Sequence, residues 1–423
     1  MTNNTFINLY IANKPPPPNG VSKIPDDDFF RGLEIEFTTH PFYINATITD
    51  HHQNIDDTKS SPIRNNNNNN NNDSNDSNNN NNNNNNKNKN NNSQYFVTVV
   101  TQSTVDRLYK VGLMASKWKA PISIALYIKN RDIELPLLTK ILNENPSLKK
   151  YADIHLLYSN QTRYPVNNLR NLAIKYSRTD LVFVMDADFI PPYGFHDYIA
   201  SFKNYLHINR SNYKQYQKVL ANVDFVDRST FTSINHTIQM VPEDEEVKVA
   251  FVVPSFSSSF EPNLLPDDKP TLLSMVSQKK VEPSNLKVCR KCHSPTNFPR
   301  WVDAKEPFEA VYSWIYEPYL IFDRTKTEWF DERLKGYGFD KNTHTLMMAL
   351  QGFRFLVLPE AYIVHINHRE STWEGPKQHQ QLWDSLRMVC EIIPEGKKRY
   401  NFDPLKRIID EPLADECYSD AHW

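Results

Sequence analysis

The stretch LVFVMDADFIPP, residues 181–192, decides how this chain folds. Apolar residues run from Leu181 to Met185 straight into Asp186 and Asp188, and the segment turns apolar again before Pro191 and Pro192. A run of that length and character predicts a strand buried on both faces of a parallel sheet. Side chains alternate along an extended chain, so Asp186 and Asp188 are expected on one face and Ala187 on the other. Two hard oxygen ligands at one strand end suit a divalent cation, Mn²⁺ or Mg²⁺, that bridges to phosphate oxygens. The competing reading of any D-x-D triplet is a pair of aspartates capping a turn. Here the preceding apolar strand favours the ligand site.

Working outward, the upstream sequence alternates between two periods. YFVTVVTQ (95–102), ISIALYI (122–128) and DIHLLYS (153–159) read as buried strands. STVDRLYKVGLMASKW (103–118), with Ser103 or Thr104 as cap, ELPLLTKILNENP (134–146) and YPVNNLRNLAIKYS (164–177) read as helices. Pro165 falls in the first turn of the last of these, where its missing N–H costs nothing. The expected fold is therefore α/β, a mostly parallel sheet with helices on both faces. Such sheets bind ligands at the carboxyl ends of their strands, which is where Asp186 and Asp188 fall.

Composition narrows the function classes. The chain has 423 residues, 39% hydrophobic, with a net charge of −2, so no basic field points to nucleic acid. Nine glycines stand against 28 prolines, with no G-x-G-x-x-G and no P-loop, which argues against a glycine-rich phosphate cradle. Four cysteines are too few for a disulfide scaffold. No stretch reaches the roughly 20 apolar residues of a membrane span, and no signal peptide is visible.

Residues 1–94 form a polar N-terminal region, with a proline run at 15–18 and an asparagine tract at 65–92. The tract has nothing apolar to bury against its ordering entropy and is expected to be disordered. FFRGLEIEFTTHPFYINATI (29–48) alternates apolar and polar residues and is expected to add a strand to the folded part, residues 95–423.

Four blocks carry a family resemblance. RYPVNNLRNLAIKYSRTDLVFVMDADFIPPYGFHDYI (163–199) is similar to the catalytic domain of glycosyltransferase family 49, the family of the LARGE xylosyl/glucuronyltransferases and the related β-1,4-glucuronyltransferase. VAFVVPSF (249–256), HSPTNFPRWVDAKEPFEAVYSWIYEPYLIFDR (293–324) and FDERLKGYGFDKNTHTLMMALQGFRFLVLPEAYIVHINH (330–368) follow in the family's order. The resemblance implies a single catalytic domain of the GT-A type. It implies metal-dependent, inverting transfer of a sugar, glucuronate or N-acetylglucosamine, from a UDP-sugar to a hydroxyl of a glycan or glycoprotein. A phosphohydrolase of the haloacid-dehalogenase type is the weaker alternative, because Ile190 stands where that class usually has Thr or Val. A catalytically silent sugar- or nucleotide-binding relative is the third.

The resemblance also implies roles. His365 is expected to complete the metal shell of Asp186 and Asp188, with His368 the alternative and a backbone-bonded strand-end histidine the bland reading. Arg170 and Asn171 are expected to contact the donor's phosphate or ribose, against a solvated helix face. Inversion needs one general base. Asp340, expected after two glycines at the tip of the loop GYGFDKN before an apolar helix, is the first candidate, with helix capping as its bland reading. Glu317 and Glu332 are rivals, as is Asp331, for which a salt bridge to Arg333 is expected. Trp301, Trp314, Tyr316 and Tyr319 are candidates for stacking on acceptor sugars or for the core. Cys289 and Cys292 are expected as a disulfide or free thiols rather than half a zinc site. The resemblance implies a Golgi lumenal enzyme. The missing membrane anchor, signal and upstream transferase domain leave an incomplete start, an unread entry signal or a cytoplasmic location open.

Overall fold

A computed structural model describes residues 37–48, 95–159, 163–209, 212, 215–216, 246–258, 264–284, 289–313, 315–336, 338–366, 384 and 387–400. The asparagine tract, Trp314, His368 and Cys417 lie outside these residues.

Thirteen strands among the described residues form two sheets. In chain order they are β1 (Thr38–Ile44), β2 (Thr98–Thr104), β3 (Ile122–Ile128), β4 (Ala152–Tyr158), β5 (Leu181–Val184), β6 (Phe189–Ile190) and β7 (Val249–Val253). Then come β8 (Ser255–Ser258), β9 (Val281–Pro283), β10 (Phe308–Ala310), β11 (Tyr319–Asp323), β12 (Arg354–Val357) and β13 (Ile363–Ile366). The large sheet has the order β1-β4-β3-β2-β5-β11-β7-β12-β10 and the small one β6-β13-β8-β9. Six strands of the large sheet run one way; β1, β10 and β11 oppose them. β3 and β5 are buried at every residue, as their unbroken apolar runs require.

The chain steps from β2 to β3 to β4 and then returns to lay β5 on the other side of β2. Crossovers between parallel strands are right-handed. The Leu108–Trp118 and Arg131–Glu144 helices therefore cover one face and the Val166–Lys175 helix the other. The reversal leaves a crevice beyond the carboxyl ends of β2 and β5, the usual ligand position in such sheets.

One detail differs from the sequence reading. β2 continues through Ser103 and Thr104, a 3-10 turn at Val105–Arg107 follows, and neither residue caps the helix with its side chain. At the other edge, β1 adds to β4 antiparallel, with Thr38 opposite Tyr158.

After β5 the chain leaves the large sheet. Residues Ala187 and Asp188 form a turn, closed by Phe189 N–H donating to the Asp186 carbonyl at 3.2 Å. β6 then enters the small sheet, where β13 pairs with it antiparallel and sets His365 opposite Phe189. Pro254 divides β7 from β8, so one continuous segment also passes from the large sheet to the small one. The D-x-D thus sits at the seam of the two sheets.

Candidate active site

The turn at Ala187 gives the two aspartates different partners, where alternation along a strand predicted a shared face. Asp188 Oδ2 faces His365 Nε2 at 3.5 Å, and the Ile366 N–H donates to the Asp188 carbonyl at 2.9 Å. Both side chains remain partly exposed, 18% and 28%. The Phe189 ring lies 5.1 Å from that of His365 and 4.5 Å from that of Tyr319, so it wedges the histidine in place.

Asp186 reaches into a basic cluster. Its Oδ1 accepts from Arg170 at 3.1 Å, and its Oδ2 accepts from Tyr319 Oη at 2.9 Å and Lys341 Nζ at 2.8 Å. Burial opposes ionisation of Asp186, but Lys341 and Arg170 outweigh it and hold its carboxyl down at about 2. Burial pushes the Tyr319 hydroxyl well above the usual range, and the Asp186 charge adds to it. Lys341 also lies 3.4 Å from Glu317 and 3.3 Å from Tyr319 Oη. The carboxylates and Tyr319 overcome the effect of burial on Lys341 and keep it charged.

As to a metal, the donor types at Asp188 and His365 fit a divalent cation: one carboxylate oxygen and one imidazole nitrogen, 3.5 Å apart. Among the described residues no group of three His, Cys, Asp or Glu is gathered closely enough to hold an ion by itself. Both Asp186 oxygens are engaged by Arg170, Tyr319 and Lys341. The structure thus brings Asp188 and His365 together and sets Asp186 beside them rather than in one shell with them.

The carboxylates weighed as base separate clearly. Asp340 is the first residue of the Asp340–Leu350 helix, not a loop tip. Gly336 and Gly338, at φ 83° and 111°, turn the chain sharply into that helix, a conformation glycine adopts without strain. Asp340 is buried and pairs with Arg170. Replacing it by asparagine is expected to cost about 2 kcal/mol of stability, the scale of a charge-assisted hydrogen bond. Denaturant midpoints measure this, and a turnover loss without any stability loss would count against the structural role. Glu332 accepts from Asn168 at 2.6 Å and Asn171 at 2.8 Å, tying its loop to the Val166–Lys175 helix. Glu317 stays in the cluster, 26% exposed, with burial raising its carboxyl despite Lys341.

Asn171 is corrected too. It is buried, donates to the Phe330 carbonyl at 2.9 Å and accepts from the Phe330 N–H at 3.0 Å, so every polar atom holds structure. Trp301 and Tyr316 are fully buried and hydrogen-bonded to the Leu358 carbonyl and Thr296, which makes them core residues. Asp331 pairs with Arg333 at 2.7 Å, as expected. Cys289 and Cys292 form a disulfide, and the Cys292 carbonyl accepts the Glu317 N–H at 2.8 Å. Lys341 went unremarked in the sequence: a lysine next to a favoured aspartate carries no local signal.

The mostly parallel α/β sheet of a single domain is of the GT-A type. The family model described as "Glycosyl-transferase for dystroglycan" matches residues 96–163 and 157–401, and the chain belongs to this family, glycosyltransferase family 49. Glycosyltransferase-like protein gnt14 of Dictyostelium discoideum is 48% identical over 331 residues, covering 78% of this chain and 46% of the relative. Glycosyltransferase-like protein gnt13 of the same organism is 34% identical over 596 aligned positions, covering 94% and 88%. Human xylosyl- and glucuronyltransferase LARGE1 is 28% identical over 319 residues, covering 74% and 37%. The chain therefore spans less than half the length of gnt14 and of LARGE1. Among the described residues no helix is long and apolar enough to cross a membrane.

Proposed function

We propose that this chain is a metal-dependent, inverting glycosyltransferase that moves a sugar from a UDP-sugar to a glycan hydroxyl. The observation that carries the reading is the meeting of Asp188 and His365 at the sheet reversal, beside the charged Asp186 cluster, in a chain of family 49. Asp188 and His365 would hold Mn²⁺ or Mg²⁺, which when bound supplies Lewis-acid support to the departing diphosphate. Arg170 and Lys341 keep Asp186 ionised and rigid, so the crevice wall does not reorganise when the donor enters. LARGE1 is named for xylosyl and glucuronyl transfer, which makes UDP-glucuronate, UDP-xylose and UDP-N-acetylglucosamine the donors to test first.

For the acceptor proton we assign Glu317. Burial raises its carboxyl, moving it toward the basicity a general base needs, and Lys341 orients it. The Glu317→Gln variant is expected to lose roughly 10²-fold in transfer rate while UDP affinity stays unchanged, since a base acts only in the transition state. Unimpaired transfer in this variant would return the base to the acceptor or another residue. The Cys289–Cys292 disulfide and a bonded Cys390 support an oxidising, secretory compartment.

The deciding experiment is a screen of UDP-sugars with Mn²⁺, scoring UDP release with and without glycan acceptors. UDP binding with no release from any donor would replace transfer by binding alone.

A further inference from the structure

Four lysines are buried among the described residues: Lys110, Lys117, Lys269 and Lys335. Three have partners. Lys117 pairs with Asp267 at 2.7 Å, Lys269 donates to the Trp301 and Pro359 carbonyls, and Lys335 donates to Asn168 at 2.9 Å. Lys110 is only 3% exposed, and its Nζ is buried with no hydrogen-bond partner. A buried ammonium without a partner costs several kcal/mol, and folded proteins tolerate it rarely and for a reason.

Its position supplies the reason. Lys110 is in the first turn of the Leu108–Trp118 helix, just beyond the carboxyl end of β2, at the reversal of strand order. The same helix packs against β6, the strand that follows the D-x-D. The charge that attracts Lys110 most is Asp188, while Arg107 repels it and the exposed Asp106 adds a weaker attraction. Lys341 and Arg170, two further cations of this crevice, are already committed to Asp186, Glu317 and Asp340. An ammonium held dry, without a hydrogen-bond partner and in the field of Asp188, is ready for an anion that arrives with the ligand.

We infer that Lys110 binds an anionic oxygen of the nucleotide-sugar donor, from either its diphosphate or a sugar carboxylate. This rests on the transferase reading and adds a binding residue to it.

The test is titration calorimetry with Mn²⁺ present, using UDP, UDP-glucose and UDP-glucuronate on wild type, Lys110→Met and Lys110→Arg. One charge-assisted contact predicts a loss of roughly 10- to 100-fold in the methionine variant. A loss with all three ligands assigns the diphosphate. A loss with UDP-glucuronate alone assigns the carboxylate. Lys110→Arg, which keeps the charge, should stay within a few-fold of wild type. The ligand-free melting temperature of Lys110→Met should be unchanged or higher, because an apolar side chain replaces an unpaired ammonium. A folded Lys110→Met that binds all three ligands like wild type overturns the inference alone. A Lys110→Met that melts well below wild type, or does not fold, shows a structural lysine and also overturns it. Wild type that binds none of the three overturns the transferase reading and this inference together.

Discussion

Sugar transfer is expected to fall by roughly 10³-fold or more in Asp188→Asn, because a metal held there would supply charge stabilisation worth several kcal/mol to a leaving diphosphate. Asparagine keeps the size of the side chain and one of its oxygens but removes the charge that a cation needs. The Ile366 bond at Asp188 goes to the backbone carbonyl, so the seam between β6 and β13 survives the substitution. The fold should therefore be unchanged by circular dichroism. Addition of chelator to wild type should reproduce the defect, and addition to the variant should change little further. Near wild-type turnover in Asp188→Asn with chelator present would remove the metal from the mechanism.

The largest stability effect is expected at Arg170. This side chain is 4% exposed, pairs with Asp340 and Asp186, and donates a further hydrogen bond to Asn167 Oδ1 at 3.2 Å. Its guanidinium carbon also lies 5.3 Å from the centre of the Phe330 ring. Arg170→Met leaves Asp340 buried without its counter-charge, a situation that costs about 3–5 kcal/mol. In a domain of this size that lowers the melting temperature by roughly 10 °C. The Arg324–Asp180 pair is the control: Asp180 is 48% exposed, and Asp180→Asn should cost less than about 1 kcal/mol. Equal melting temperatures for the two variants would show that the Arg170 pairs contribute no more than a surface bridge.

Glu317 and Asp340 illustrate how far residue context reached. Two glycines before Asp340 suggested a carboxylate displayed on a loop, and those glycines do make a sharp turn. The turn leads into a helix that carries Asp340 inward to Arg170, 170 positions away in the chain. Glu317, in a less conspicuous setting, is left in the open cluster because β11 places Tyr319 against Asp186 and Lys341 reaches across to both. Burial and its hydrogen bonds to Phe330 assign Asn171 to packing, and Trp301 takes the core reading of its two.

The sequence by itself determined the β/α alternation from Tyr95 to Leu181 and the delivery of Asp186 and Asp188 to a strand end. Both follow from local periodicity and from where an apolar run stops. It also determined the family, through four blocks in order, and with it the expectation that a distant histidine serves the D-x-D. The tertiary structure decided which groups face each other. β11 inserts antiparallel between β5 and β7, the turn at Ala187 splits the two aspartates, and the β6–β13 pairing carries His365 to Asp188. Lys341 and Asp186, 155 residues apart, meet only once those strands are in place. Local sequence encodes the period and burial of each element. Partners for a charge are set by the order in which strands assemble, which no stretch of a dozen residues contains.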